Sequence, residues 1–259
     1  MTDSYLFQEV LQDAAGLVKR AANKSRRTLP VSPEVAAALE SVQPPVSAEE
    51  AVHASTNAAS LARVAEEVSR CTKCGLASAR TQTVFSDGNP AAELVFVGEA
   101  PGFHEDQQGK PFVGSAGQLL TDIIVKGMKI KRSDVYICNV LKCRPPENRD
   151  PNPDEIEQCE SYLVRQLGIL KPRAICALGG HAAKTLLKTT ESTGVLRGKW
   201  HFYHGIPLRV TYHPAYLLRN PEDKRKTWED VQHVMRLLSG EETAEAGPTS
   251  LVVGEPFAE

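Results

Sequence analysis

An α/β fold, three layers deep, with a central, mainly parallel four-stranded sheet between helices, is the architecture the sequence predicts. Two observations carry it. Strand-like apolar runs alternate with helix-period segments between about residues 93 and 238. Gly/Pro-rich or polar segments follow several of those runs, at the carboxyl ends where open parallel sheets bind ligands. The first strand is ELVFVGE (93–99), followed by a Gly-rich loop, APGFHEDQQGKPFVGSAG, and a helix over about 116–128. DVYICNV (134–140) is the second strand. The Pro-rich loop KCRPPENRDPNP then leads to a helix opening near Pro153, where the acids of PDEIE suit a helix N-terminus. A strand at PRAICALG (172–179), a helix over about 180–188, a strand at IPLRVTY (206–212) and a last helix over about 224–238 complete the pattern.

The flanks read differently. Residues 1–65 form an N-terminal extension: an amphipathic helix over 4–22, then an Ala/Pro/Ser/Glu-rich linker over 23–58. Residues 66–238 are the expected catalytic domain and 239–259 an acidic, flexible tail. The extension is a candidate docking segment for a protein partner, and a monomer is expected. With 24% charged and 41% apolar residues, collagen-like, coiled-coil and wholly disordered classes are excluded. No apolar run approaches the ~18–20 residues of a membrane span, and the opening residues lack a leader's apolar core. A cytoplasmic protein, nucleoid-associated in a prokaryote, is the expectation. The net charge of −2 conceals a balance of +5 over residues 71–236, compatible with a polyanionic partner.

Six cysteines divide into two groups. Cys138 and Cys176 lie in apolar strand-like runs and read as buried thiols. Cys71, Cys74, Cys143 and Cys159 lie in polar surroundings. Four thiolates suit tetrahedral zinc or an iron–sulfur cluster; the fifteen residues between Cys143 and Cys159 do not resemble a zinc-ribbon knuckle. After the first strand, Gly98-Glu99-Ala100-Pro101-Gly102 lacks both the dinucleotide and Walker patterns. It reads as a tight turn presenting backbone amides and Glu99 to a ligand. Phe112, bracketed by Gly109 and Gly114, either caps the core or offers a ring face to a planar ligand.

Three segments in order, GEAPGFHEDQQGKPFVGSAGQLL, YICNVLKCRPPENRDPNPDE and HPAYLLRNP, together with the four cysteines, resemble the family 4, iron–sulfur uracil-DNA glycosylases over about residues 66–238. The resemblance implies a uracil-DNA glycosylase-like fold, hydrolysis of the uracil N-glycosidic bond in single- or double-stranded DNA, and a 4Fe-4S cluster on Cys71, Cys74, Cys143 and Cys159. It implies that Asn139 reads the uracil edge, with one donor and one acceptor that mismatch cytosine. Phe112 would stack on the base, Glu105 crowd its C5 edge, and the turn at Ala100 and Gly102 contact it. His213 would donate to uracil O2, and Glu99 or backbone carbonyls of the turn would orient water. Leu217 or Leu218 would wedge into the base stack, with Arg219, Lys224, Arg225 and Lys226 on phosphates. No histidine lies between Asn139 and Cys159, so ordinary turnover is expected rather than covalent capture. The readings set against this are a noncatalytic nucleic-acid-binding module, an electron-transfer iron–sulfur protein and a glycosylase of broader base specificity.

Overall fold

The computed structural model describes residues 48–257. Seven strands form one sheet: β1 (Asp87–Gly88), β2 (Leu94–Gly98), β3 (Tyr136–Asn139), β4 (Ala174–Leu178), β5 (Trp200–Tyr203), β6 (Ile206–Thr211) and β7 (Val252–Val253). Their spatial order is β1-β3-β2-β4-β6-β5-β7. The four expected strands are its centre, all parallel. The sheet is wider than four strands because β1 adds antiparallel to β3, β5 antiparallel to β6, and β7 parallel to β5. Strand β5 turns into β6 through His204 and Gly205, both at positive φ (49° and 79°), the signature of a two-residue primed hairpin turn.

The helices are α1 (Ala48–Ser69), α2 (Phe103–Gln108), α3 (Ser115–Asp122), α4 (Pro153–Leu170), α5 (Gly180–Leu187), α6 (Thr193–Leu196), α7 (Pro214–Arg219) and α8 (Lys224–Ser239). Alternation along the strands sorts them into layers. Val95 and Val97 of β2 face Leu61, Val64 and Val68 of α1 with Leu163 and Leu167 of α4. Leu94 and Phe96 face the other way, onto Leu120 of α3 and Val231 and Val234 of α8. Helix α4 starts as its sequence implies. Pro153 occupies the first turn, and Glu155 accepts the Asn152 amide at 2.8 Å in a capping box.

Two boundaries move. The folded unit extends upstream of residue 66, because Leu61, Val64 and Val68 recur on one face of α1 and bury that face in the core. The tail, expected to fray, is held from Ser250 to Phe257. Leu251 and Val253 carbonyls accept from Phe202 and His204 amides at 2.8 and 2.7 Å, and the Phe257 ring stacks on His204. The expected helix over 4–22 and the linker up to residue 47 lie outside the described residues. Among the described residues no helix is long and apolar enough to cross a membrane.

Candidate functional site

Polar groups collect at the carboxyl ends of the parallel strands. Asn139 ends β3 directly beside Gly98, the last residue of β2. A β-carbon at Gly98 would lie 2.3 Å from Asn139 Oδ1 and 2.6 Å from Phe112 Cζ, so only glycine lets amide and ring share this space. Asn139 is 2% exposed, and its Oδ1 is buried without a hydrogen-bond donor. An atom in that state is costly unless something else supplies the donor.

Phe112 is held in an uncommon backbone conformation, φ 54°. Its loop is fixed from two sides. Glu105 Oε1 accepts the Val113 and Gly114 amides at 2.9 and 3.0 Å, and Gly117 of α3 packs so closely that a β-carbon there would sit 1.9 Å from the Phe112 carbonyl oxygen. Glu105, expected beside a base edge, also holds the loop: Oε1 accepts those amides and Oε2 lies under Gly102.

His213 opens α7, and its ring lies 5.7 Å from that of Phe112, centre to centre. Its Nδ1 accepts the Ala215 amide at 3.1 Å. In the neutral ring this assigns the proton to Nε2, leaving a donor. Burial, reinforced by Arg219, lowers the His213 pKa to about 4, so the ring is neutral near pH 7. Gly179, at φ 88°, passes so near that a β-carbon would sit 2.8 Å from His213 Cβ.

Glu99 is half-buried, and burial raises its pKa above the ordinary carboxylate value; His181 opposes that shift and Asp150 adds to it. Ligand-type atoms of Glu99, Asp150 and His181 lie within 4.8 Å of one another. The Gly98 and Glu99 carbonyls, the expected alternatives to this carboxylate for holding water, already accept the Val140 and Leu141 amides at 3.0 Å each. Ala100 and Gly102 are half-buried in the same turn.

Leu217 is fully buried and cannot reach a partner, whereas Leu218 is 46% exposed. Adjacent helical residues point about 100° apart, so α7 can offer only one of them to solvent. Arg219, Lys224, Arg225 and Lys226 are exposed, but Lys226 pairs with Asp223 at 2.7 Å and Arg225 with Glu229 at 3.4 Å.

Cys71, Cys74, Cys143 and Cys159 line one cavity with Arg80, Lys142 and Tyr162. All four are free thiols. A tetrahedral zinc site brings its sulfurs about 3.8 Å apart, from Zn–S bonds of ~2.3 Å. Among the described residues no three cysteine sulfurs lie within 4.8 Å of one another. Hydrogen-bond donors reach two of the sulfurs, while burial opposes their ionisation. Arg80 Nη1 donates to Cys143 Sγ and the Lys142 amide to Cys159 Sγ, both at 3.3 Å. Without iron, burial pushes the Cys159 thiol up to about 11 and raises Cys143. Cys138 and Cys176 are buried in the sheet, as expected.

Sequence reasoning missed the supporting residues: Gly117, Gly179, Arg80, and Lys142, which is only 1% exposed. Its place one position before Cys143 was the signal available for Lys142.

Residues 85–232 match the family model of the uracil DNA glycosylase superfamily. The type-4 uracil-DNA glycosylase of Saccharolobus solfataricus is 46% identical over 184 residues, spanning 68% of this chain and 85% of that protein. Those of Archaeoglobus fulgidus and Thermotoga maritima are 44% and 42% identical, each over 69% of this chain and over 93% and 94% of their own lengths.

Proposed function

Since the chain belongs to the uracil DNA glycosylase superfamily, among its type-4 uracil-DNA glycosylases, we propose that the pocket at Asn139, Phe112 and His213 receives the flipped uracil. The protein hydrolyses the bond between uracil and deoxyribose in DNA, leaving an abasic site. The target atoms are hidden in a duplex, so the nucleotide must leave the stack.

The observation that carries the pocket assignment is the orphaned Asn139 Oδ1. Uracil N3–H supplies the missing donor, and the amide nitrogen donates to O4. Cytosine presents an acceptor at N3 and an amino group at C4, so both contacts fail, and a buried polar mismatch is the costly kind. Phe112 stacks on the base plane. As the bond lengthens, negative charge builds on uracil and positive charge on the sugar. The Nε2–H of neutral His213 is aimed at O2, where that negative charge collects. Glu99, ionised, holds the attacking water and faces the sugar's positive charge. Leu218 fills the gap in the stack, with Arg219 on the adjacent phosphate.

Cys71, Cys74, Cys143 and Cys159 hold a 4Fe-4S cluster in this reading, supported by the cavity they share and the donors on Cys143 and Cys159. When bound, it cross-links the segment after α1, the loop after β3 and helix α4. The test is an anaerobic preparation given oligonucleotides with one uracil, thymine or cytosine, alongside its visible spectrum. Alkali-labile sites at uracil alone, from a brown protein, are expected. A brown protein inert on uracil would contradict the pocket assignment.

A further inference from the structure

Lys142 is 1% exposed, and among the described residues its ammonium pairs with no carboxylate. Its Nζ donates to the Asn139 carbonyl at 2.7 Å and to Gln166 Oε1. Gln166 is itself fixed, its Nε2 donating to the Tyr136 hydroxyl at 3.0 Å and the Phe85 carbonyl at 3.2 Å. At its other end, the Lys142 amide donates to Cys159 Sγ at 3.3 Å, and Cys143 is the next residue in the chain. One residue thus reaches two of the four cavity cysteines through its backbone and the base-reading asparagine through its side chain.

An apolar side chain would fill this space without needing to bury a cation, which is expensive unless the cation is fully hydrogen-bonded. Both acceptors of the lysine are neutral and burial disfavours its charge; negative charge on Cys143 and Cys159 would offset that burial. The carbonyl that Nζ holds belongs to Asn139 itself, at the last position of β3; the other side of the same peptide, the Val140 amide, donates to the Gly98 carbonyl at 3.0 Å, so Lys142 braces the face of that peptide that β2 does not. Fixing that peptide fixes the origin of the Asn139 side chain, whose amide must present Oδ1 correctly over a few tenths of an ångström.

We propose that Lys142 is a positioning residue for base recognition, joining the cluster to Asn139 so that cluster and uracil pocket are ordered together. This rests on the reading of the four cysteines as cluster ligands. Coupling between two sites is reciprocal, so uracil in the pocket must perturb the cluster's surroundings as the cluster perturbs the pocket.

The test compares the wild-type holoenzyme with Lys142→Met, measuring iron content, inhibition by free uracil and the visible circular dichroism of the cluster with and without uracil. The expected result is that wild-type dichroism responds to uracil. In Lys142→Met, iron is retained, inhibition by uracil weakens roughly tenfold, in keeping with a lost hydrogen bond to a charged group, and the dichroism no longer responds. Full iron with wild-type inhibition and an unchanged dichroic response in Lys142→Met would overturn the proposal. Should Lys142→Met fail to fold, Gln166→Met takes its place, since it loosens the same ammonium from farther away; a several-fold weakening is expected, and wild-type inhibition there would overturn the proposal equally. Active wild-type protein without iron would overturn the cluster reading itself, a result distinct from either.

Discussion

A buried amide oxygen without a donor costs about 1–3 kcal/mol, and at Asn139 no protein group supplies that donor, so the proposed uracil N3–H would. The residue is thus less comfortable empty than occupied, and its removal should abolish recognition without disturbing the fold. Asn139→Ala is expected to lower kcat/KM on uracil-containing DNA by about 10²–10³-fold, a loss on the scale of a deleted transition-state or recognition contact, with the visible spectrum unchanged. Glu99 gives a second expectation. Burial raises its pKa above the ordinary carboxylate value, and in the proposed mechanism the ionised form holds the water. Activity should therefore fall as pH drops through that raised pKa, at a higher pH than an exposed glutamate would give, and Glu99→Gln should abolish the acid limb in a pH–rate profile. Asn139, Phe112 and His213 could be proposed from the sequence because each sits in a motif, and the structure brings Phe112 beside both: its ring lies 5.7 Å from that of His213, and its Cζ and Asn139 Oδ1 flank Gly98. For Glu105 the sequence offered a place in the same loop but not its partners: the Val113 and Gly114 amides that its Oε1 accepts appear only in the fold.

Helix α7 shows what a short element settles. HPAYLL offers two adjacent leucines, and helical phase buries Leu217 and exposes Leu218. The two substitutions should therefore separate. Leu217→Ala is expected to destabilise the protein by about 2–5 kcal/mol, as buried leucine truncations do, read as a lower midpoint in denaturant. Leu218→Ala should leave that midpoint in place and slow excision from duplex DNA more than from single strands, where no stack has to be held open. The four central strands and the helices between them were readable from alternation and period. Strands β1 and β7, two residues each, were not, because so short a pair leaves no periodic signal and exists only through its partner. Strand β5 was within reach: WHFY followed by His204-Gly205 is a hairpin signal that the Gly-rich surroundings obscured.

Across the whole molecule, the cysteine cavity joins segments far apart in sequence: Cys71 and Cys74 follow α1, Cys143 follows β3 and Cys159 lies on α4. A ligand set spread in this way couples metal binding to folding. Cys159→Ser is expected to lose iron and to lower the thermal midpoint, whereas Cys176→Ser, in the sheet core and away from the cavity, should keep its iron; equal iron in both would exclude Cys159 as a ligand. The same cavity lies beside the loop that carries Lys142, so its integrity bears on the pocket as well as on stability. The measurement that tests the account most directly is a crystal structure of the protein with free uracil. It should place uracil N3 within hydrogen-bond distance, about 2.7–3.2 Å, of Asn139 Oδ1, with O2 equally near His213 Nε2 and the base lying on the Phe112 ring. Uracil bound elsewhere, or bound here with Asn139 Oδ1 still lacking a donor, would contradict it.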